Sequence, residues 1–193
     1  MEWAIPIQTF LPKYVCLGSF QANSKQLLPF SYQDGSYTFT SLCILLPTLN
    51  VKSYDTATGR LILSLAGNHA TQQKLHQFQE LLFTNLSRMQ RTWFPTEPEK
   101  DVREIRAGFQ PFLDGTSLHL YCPVLPTQNE IQYYAGGQWT RGAPESMDSV
   151  FAVGKPIRLA LRMYGVSFHQ HPITKVWTGR FRLQHRILAV YAD

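Results

Sequence analysis

The sequence predicts a mainly β fold of the α+β class, an antiparallel sheet with one long amphipathic helix inserted, and three observations predict it. Apolar and β-branched stretches of strand length, separated by Gly, Pro, Asp and Asn, fill 36–65 and 115–125. Apolar residues at steps of three and four mark 69–94 as the clearest helix. In the last forty residues aliphatic and basic side chains alternate with the two-residue period of a strand.

In chain order, SYTFTSLCILL (36–46) reads as strand, and NVKSYDTATGRLILSL (50–65) as two strands joined at Asp55–Gly59, with Gly59 suited to positive φ. The helix over 69–94 places Leu75, Phe78, Leu82, Leu86, Met89 and Trp93 on one face, with Gln, Glu, Asn and Arg between them. Pro95 and Pro98 end it, and TEPEKDVRE continues as a solvated connection with a short helical turn around Asp101–Ala107. GTSLHLYCPVL (115–125) is a further strand after the Asp114-Gly115 turn. Residues 127–149 are polar and glycine-rich yet carry Tyr133, Tyr134 and Trp139, which predicts a long loop or a mobile hairpin.

The chain ends in two strand-like segments. IRLALRMY sets Ile157, Leu159, Leu161 and Met163 against Arg158, Ala160, Arg162 and Tyr164; RFRLQHRILAVY sets Phe181, Leu183, Ile187 and Ala189 against Arg180, Arg182, Gln184 and Arg186. A helix competes for the first segment, since its residues are good helix formers, but Pro156 and Gly165 leave room for only about eight residues, a strand's length. His185 falls in the apolar set, as a hydrogen-bonded core or edge residue would.

With 193 residues, 44% of them hydrophobic and 16% charged, the expected organisation is one globular domain spanning 1–193. Cys16, Cys43 and Cys122 are odd in number and widely spaced, so neither a disulfide framework nor a zinc site is expected. The first residues lack a basic n-region and no apolar run reaches membrane-spanning length, which predicts a soluble, intracellular protein.

Charge distribution carries the functional argument. Residues 154–193 hold seven Lys and Arg against the single acid Asp193, while the remainder of the chain is close to neutral. Arginines laid side by side on a sheet repel one another unless an anion joins them. A phosphate backbone is the commonest polyanion of that kind, with Arg158, Arg162, Lys175, Arg180, Arg182 and Arg186 as its expected contacts. Tyr164, Phe168, Trp177 and Trp139 are the expected stacking partners for unpaired bases, with Lys155 and the YYAGGQWTRG loop (133–142), including Trp139 and Arg141, closing over the strand. A merely solvated sheet face, with its aromatics in the core, is the competing reading.

The elements Gly165-Val166-Ser167-Phe168, the Gly179 turn and Gln184, within the final forty residues, resemble those of OB-fold single-stranded DNA-binding proteins of large DNA viruses. The resemblance implies an OB-like antiparallel β-barrel that tracks one strand with little sequence preference, in replication or recombination, in the nucleus or cytoplasm of a host cell. Single-stranded DNA would be the principal partner, with RNA, a second copy of the chain and replication proteins as further candidates. Many such proteins end in an acidic tail, whereas this chain stops at LAVYAD. The alternatives are a small β-sandwich coat protein that packages nucleic acid and an RNA-binding module.

Enzymatic chemistry is not expected. There is no G-x-S-x-G and no G-x-x-x-x-G-K-[ST], and the carboxylates of 97–104 are mixed with Lys100 and Arg103 rather than gathered for magnesium. His169-x-His171 supplies two of the ligands a metal needs but no third at fixed spacing, so no metal or other cofactor is implied.

Overall fold

The structure, a computed structural model, describes residues 4–20, 26–35, 37–122, 131–142 and 147–192. The expected loop over 127–149 therefore falls partly outside the described residues. In chain order the first strands are β1 (Ile5–Pro6), β2 (Val15–Leu17), β3 (Leu27–Asp34), β4 (Tyr37–Phe39), β5 (Leu42–Leu45), β6 (Leu49–Asp55) and β7 (Arg60–Ser64). The helices α1 (His69–Trp93) and α2 (Val102–Gly108) follow. Then come β8 (Phe109–Gln110), β9 (Leu113–Asp114), β10 (Ser117–Tyr121), β11 (Ile131–Ala135), β12 (Gln138–Gly142), β13 (Pro156–Gln170) and β14 (Trp177–Tyr191). The protein is mainly β, with one large mixed sheet.

Two 15-residue strands, β13 and β14, form its spine. They pair antiparallel from Arg158–Tyr191 to Gln170–Trp177. The other edge of β13 is met in turn by β6, β5 and β3, all antiparallel. The free edge of β14 receives β8 near its start and β11 near its end, both parallel, so the sheet is not purely antiparallel as the sequence suggested. A hydrogen-bonded path runs β12-β11-β14-β13-β6-β7-β10-β9. β10 returns to β14 through a side chain: the Tyr121 N–H donates to His185 Nε2 at 2.9 Å.

The helix forms where its periodicity placed it. α1 buries Leu75, Phe78, Leu82, Phe83, Leu86 and Trp93, each large side chain contributing about 1.5–3 kcal/mol by leaving water. Phe78 meets Phe10 and Phe30, and Phe83 meets Phe109 and Phe181, so α1 covers the inner face of β3 and β14. Met89, expected on this face, is exposed, and Gln90 is buried in the same turn. The Gln90 amide donates to the Lys100 carbonyl (2.6 Å) and accepts from the Lys100 N–H (2.8 Å), tying the connection after α1 to the helix. α2 begins with a capping box: Asp101 accepts from the N–H groups of Arg103 and Glu104, and Glu104 accepts from the Asp101 N–H.

Three sequence expectations change. Gly165 is not a strand end but lies inside β13, where a Cβ would sit 2.1 Å from the Leu28 carbonyl oxygen. Only glycine lets β3 come that close. Gly179, expected as a turn, is likewise inside β14, pressed against α2: a Cβ on Gly108 would lie 1.8 Å from its carbonyl oxygen. Ala189 belongs with the arginines rather than the core, because a register shift at Leu188 turns the strand over and brings Val190 inside. Among the described residues no helix is long and apolar enough to cross a membrane.

Candidate nucleic-acid interface

The β13–β14 register decides which side chains share a face, since directly paired residues project to the same side. The inner face takes Ile157, Leu159, Leu161, Met163, Val166 and Phe168 from β13 with Phe181, Leu183, Ile187 and Val190 from β14, all buried. On the outer face Arg158 pairs with Tyr191, Ala160 with Ala189, Arg162 with Arg186 and Ser167 with Arg182. Arg180, two residues before Arg182, shares its side of β14. Arg158, Arg180 and Arg182 are exposed; Arg162 and Arg186 are half-buried.

Two of the three register shifts keep this face continuous from Arg158 to Ser167. The extra residue at Leu188 aligns Arg186 with Arg162, and the extra residue at Tyr164 aligns Gln184 with Gly165. Beyond that point Gln184 donates to Ser167 Oγ at 2.6 Å, joining the two strands side chain to side chain next to Arg182.

Two clefts flank Arg182 and Gln184. One, of about 830 Å³, lies between the α2–β8 segment and the hairpin, with Gln110, Ser167, His169, Arg180, Arg182 and Gln184 among its walls. The other, of about 260 Å³, is bordered by Gln110, His119, Tyr121 and His185. No acidic residue lines either cleft among the described residues. Arg158, Arg180 and Arg182 likewise make no ion pair among the described residues, whereas Arg91 pairs with Glu99 and Arg106 with Glu80 elsewhere.

Neutral histidines border the smaller cleft. Burial, with a smaller effect from the Arg182 charge, pushes the His185 imidazole down to about 4, so at neutral pH it accepts the Tyr121 N–H without carrying charge. His119 is also lowered, first by burial and then by Arg60, whose guanidinium nitrogen is 3.1 Å from its Nδ1. Gln110 lines both clefts, and Arg60 lies behind His119, without either having been marked by the sequence. Arg60 belongs to a strand with no basic pattern, and Gln110 arrives only through a parallel pairing of β8 with β14.

The aromatic expectations divide. Phe168 and Trp177 are 5% and 3% exposed and face the core, so they are not platforms. The Trp177 ring stacks on Phe94 at 4.9 Å, and Phe168 packs edge-on to Phe20, Phe94 and Trp177. Trp177 shares the inner side of β14 with Phe181 by simple alternation, whereas Phe168, although of the same parity as Arg158 and Arg162, is turned inward by the extra residue at Tyr164. Tyr164 stays near the outer face, but the Arg162 guanidinium lies over its ring at 4.7 Å and occupies one side of it. Trp139 is 59% exposed.

Trp139 and Arg141 lie in a formed hairpin rather than an open loop. β11 and β12 turn at Gly136-Gly137, both with positive φ, and β11 docks beside β14. Lys175, also expected on the track, sits in the tip between β13 and β14 with φ +59. In that tip His171 Nδ1 accepts from the N–H groups of Ile173 and Thr174, while His169 Nδ1 is 3.1 Å from Thr178 Oγ1. The two histidines thus have separate local roles. No family model, no curated protein and no solved structure matches the chain.

Proposed function

We propose that the protein binds single-stranded DNA with little sequence preference and without catalysing a reaction, in support of replication or recombination. The observation that carries this reading is the set of exposed arginines Arg158, Arg180 and Arg182, which make no ion pair among the described residues and share one face of a two-stranded spine with Arg162 and Arg186, beside clefts lined by no acidic residue among the described residues. Exposed cations gathered on one face attract a polyanion, and a phosphate backbone supplies a continuous row of anions.

The same reading takes β14, β13, β6, β7 and β10 as an OB-like barrel, with His185 joining its last strand to its first. Support comes from the Tyr121–His185 hydrogen bond across the gap in the ladder. OB-type surfaces bind single strands on an open sheet face, which is where the arginines lie. The viral setting rests on the resemblance of the last forty residues alone.

Equilibrium binding of end-labelled single-stranded DNA, duplex DNA and RNA across a salt series tests the function. With about five phosphates neutralised, the logarithm of affinity should fall against the logarithm of salt with a slope of about −3 to −4. Replacing Arg180 and Arg182 together by alanine should weaken binding to every sequence alike, because phosphate contacts carry no base information. A salt-independent affinity, or none for any of the three nucleic acids, removes the proposal. Equal affinity for RNA would move it to single strands generally.

A further inference from the structure

The ladder assembles a second feature on the arginine face that no local stretch of sequence displays. Trp139 in β12 is paired with Tyr134 in β11, Tyr134 with Tyr191 in β14, and Tyr191 with Arg158 in β13. Four side chains from four adjacent strands therefore stand in one row across the sheet. Tyr134 and Tyr191 are stacked, 4.8 Å between centroids with planes 5° apart, and Trp139 leans on Tyr134 at 5.4 Å and 60°. The next row along is Arg141, Gln132, Ala189 and Ala160, a low floor with a cation at one end.

The row is held in place. Gly136-Gly137 supplies the two positive φ values of a two-residue turn, which sets the β11–β12 register. Tyr133, on the opposite face of β11, packs on the core, so a one-residue slip would pull it out and turn Tyr134 inward. Tyr191 is 45% exposed and Trp139 59%, an unusual exposure for large rings on a packed sheet.

We infer that this row is where unpaired bases stack, with Trp139 as the platform and the two tyrosines as its support. The inference rests on the single-strand reading above and adds the source of its selectivity. Arg158 belongs both to the row and to the arginine track, so a backbone following the track carries its bases toward Trp139. Phosphate contacts alone do not distinguish a single strand from a duplex; a ring that needs a base face does, because those faces are covered in a duplex. Stacking is also indifferent to sequence, since every base has a π-face.

The test uses the full chain and a labelled oligothymidylate, beside a duplex of equal length. Trp139→Ala should lower single-strand affinity about tenfold, within the range for one lost stacking partner, and leave duplex affinity unchanged. Trp139→Phe keeps a ring, so it should hold affinity within about threefold while losing most of the tryptophan quenching seen on binding. Thermal melts of both variants should match the parent, as the side chain is mostly exposed. If Trp139→Ala binds like the parent while the Arg180/Arg182 double variant does not, the row is overturned and the arginine track stands. If the parent binds no nucleic acid, both fall.

Discussion

Arg162 and Arg186 stand directly opposite each other in the β13–β14 ladder, and the Arg162 guanidinium also lies over the ring of Tyr164. Paired across the ladder, the two guanidinium groups share one face of the hairpin, so a phosphate bound there would meet both strands at once.

Arg186→Gln should lower affinity for single strands and make its salt dependence shallower by about one phosphate contact, roughly 0.7 in slope. The parent should also gain more thermal stability from added polyphosphate than the variant does. A variant that loses both stability and binding would show instead that Arg186 is a structural side chain.

The imidazole of His185 gives the fold a defined acid sensitivity. Its folded value is depressed to about 4 from an ordinary value of 6.5, so below the latter the unfolded chain binds a proton that the folded chain does not. The stabilising contribution is therefore complete above about pH 6.5 and is lost as pH falls toward 4, by about 3 kcal/mol in all. Urea midpoints across that window should decline, and His185→Gln, which keeps an acceptor for the Tyr121 N–H, should flatten the decline. Equal slopes in the two proteins would place the sensitivity on other groups.

Gly165 and Gly67 separate crowding from backbone strain. Both have positive φ, but a Cβ at Gly67 meets nothing within 4 Å, whereas at Gly165 it meets the Leu28 backbone at 2.1 Å. Gly67→Ala should lower stability by about 1 kcal/mol through strain alone. Gly165→Ala must also push β3 away from β13 and should lose about 3 kcal/mol. Chemical denaturation of the two variants checks the difference, and similar losses would mean that β3 does not press on β13.

What could be read from the sequence follows the range of the interaction that fixes it. α1 was legible because its period is local, and the β6–β7 turn because Asp55 and Gly59 make it with their own atoms: Asp55 accepts from Ala57 N–H and the Thr58 hydroxyl. The two faces of 157–163 were legible for the same reason. The side taken by Ala189 was not, since a register shift depends on what β13 offers across the ladder. Phe168 and Trp177 were misjudged because nearness to arginines in sequence says nothing about which side of a long strand a ring takes. The row of Trp139, Tyr134 and Tyr191 was invisible, for it is made by a parallel pairing in which Tyr134 meets Tyr191, far along the chain.

Trp177 offers the sharpest separation of core from contact surface. Its indole N–H donates to the Arg180 carbonyl at 2.9 Å, its backbone N–H to the Glu97 carboxylate at 2.8 Å, and Lys100 Nζ is 5.5 Å from its ring. Trp177→Ala would leave a cavity among Phe94, Phe168 and Phe181 and should lower stability by about 3–5 kcal/mol. Trp177→Phe fills most of that space and forgoes one hydrogen bond, for a loss of about 1–2 kcal/mol. Since the ring faces away from the arginines, single-strand affinity per folded molecule should be the same in Trp177→Phe as in the parent, with Trp139→Ala measured alongside as the contrast. A well-folded Trp177→Phe protein that binds single strands tenfold more weakly would return this residue to the interface and place the stacking surface on the wrong side of the hairpin.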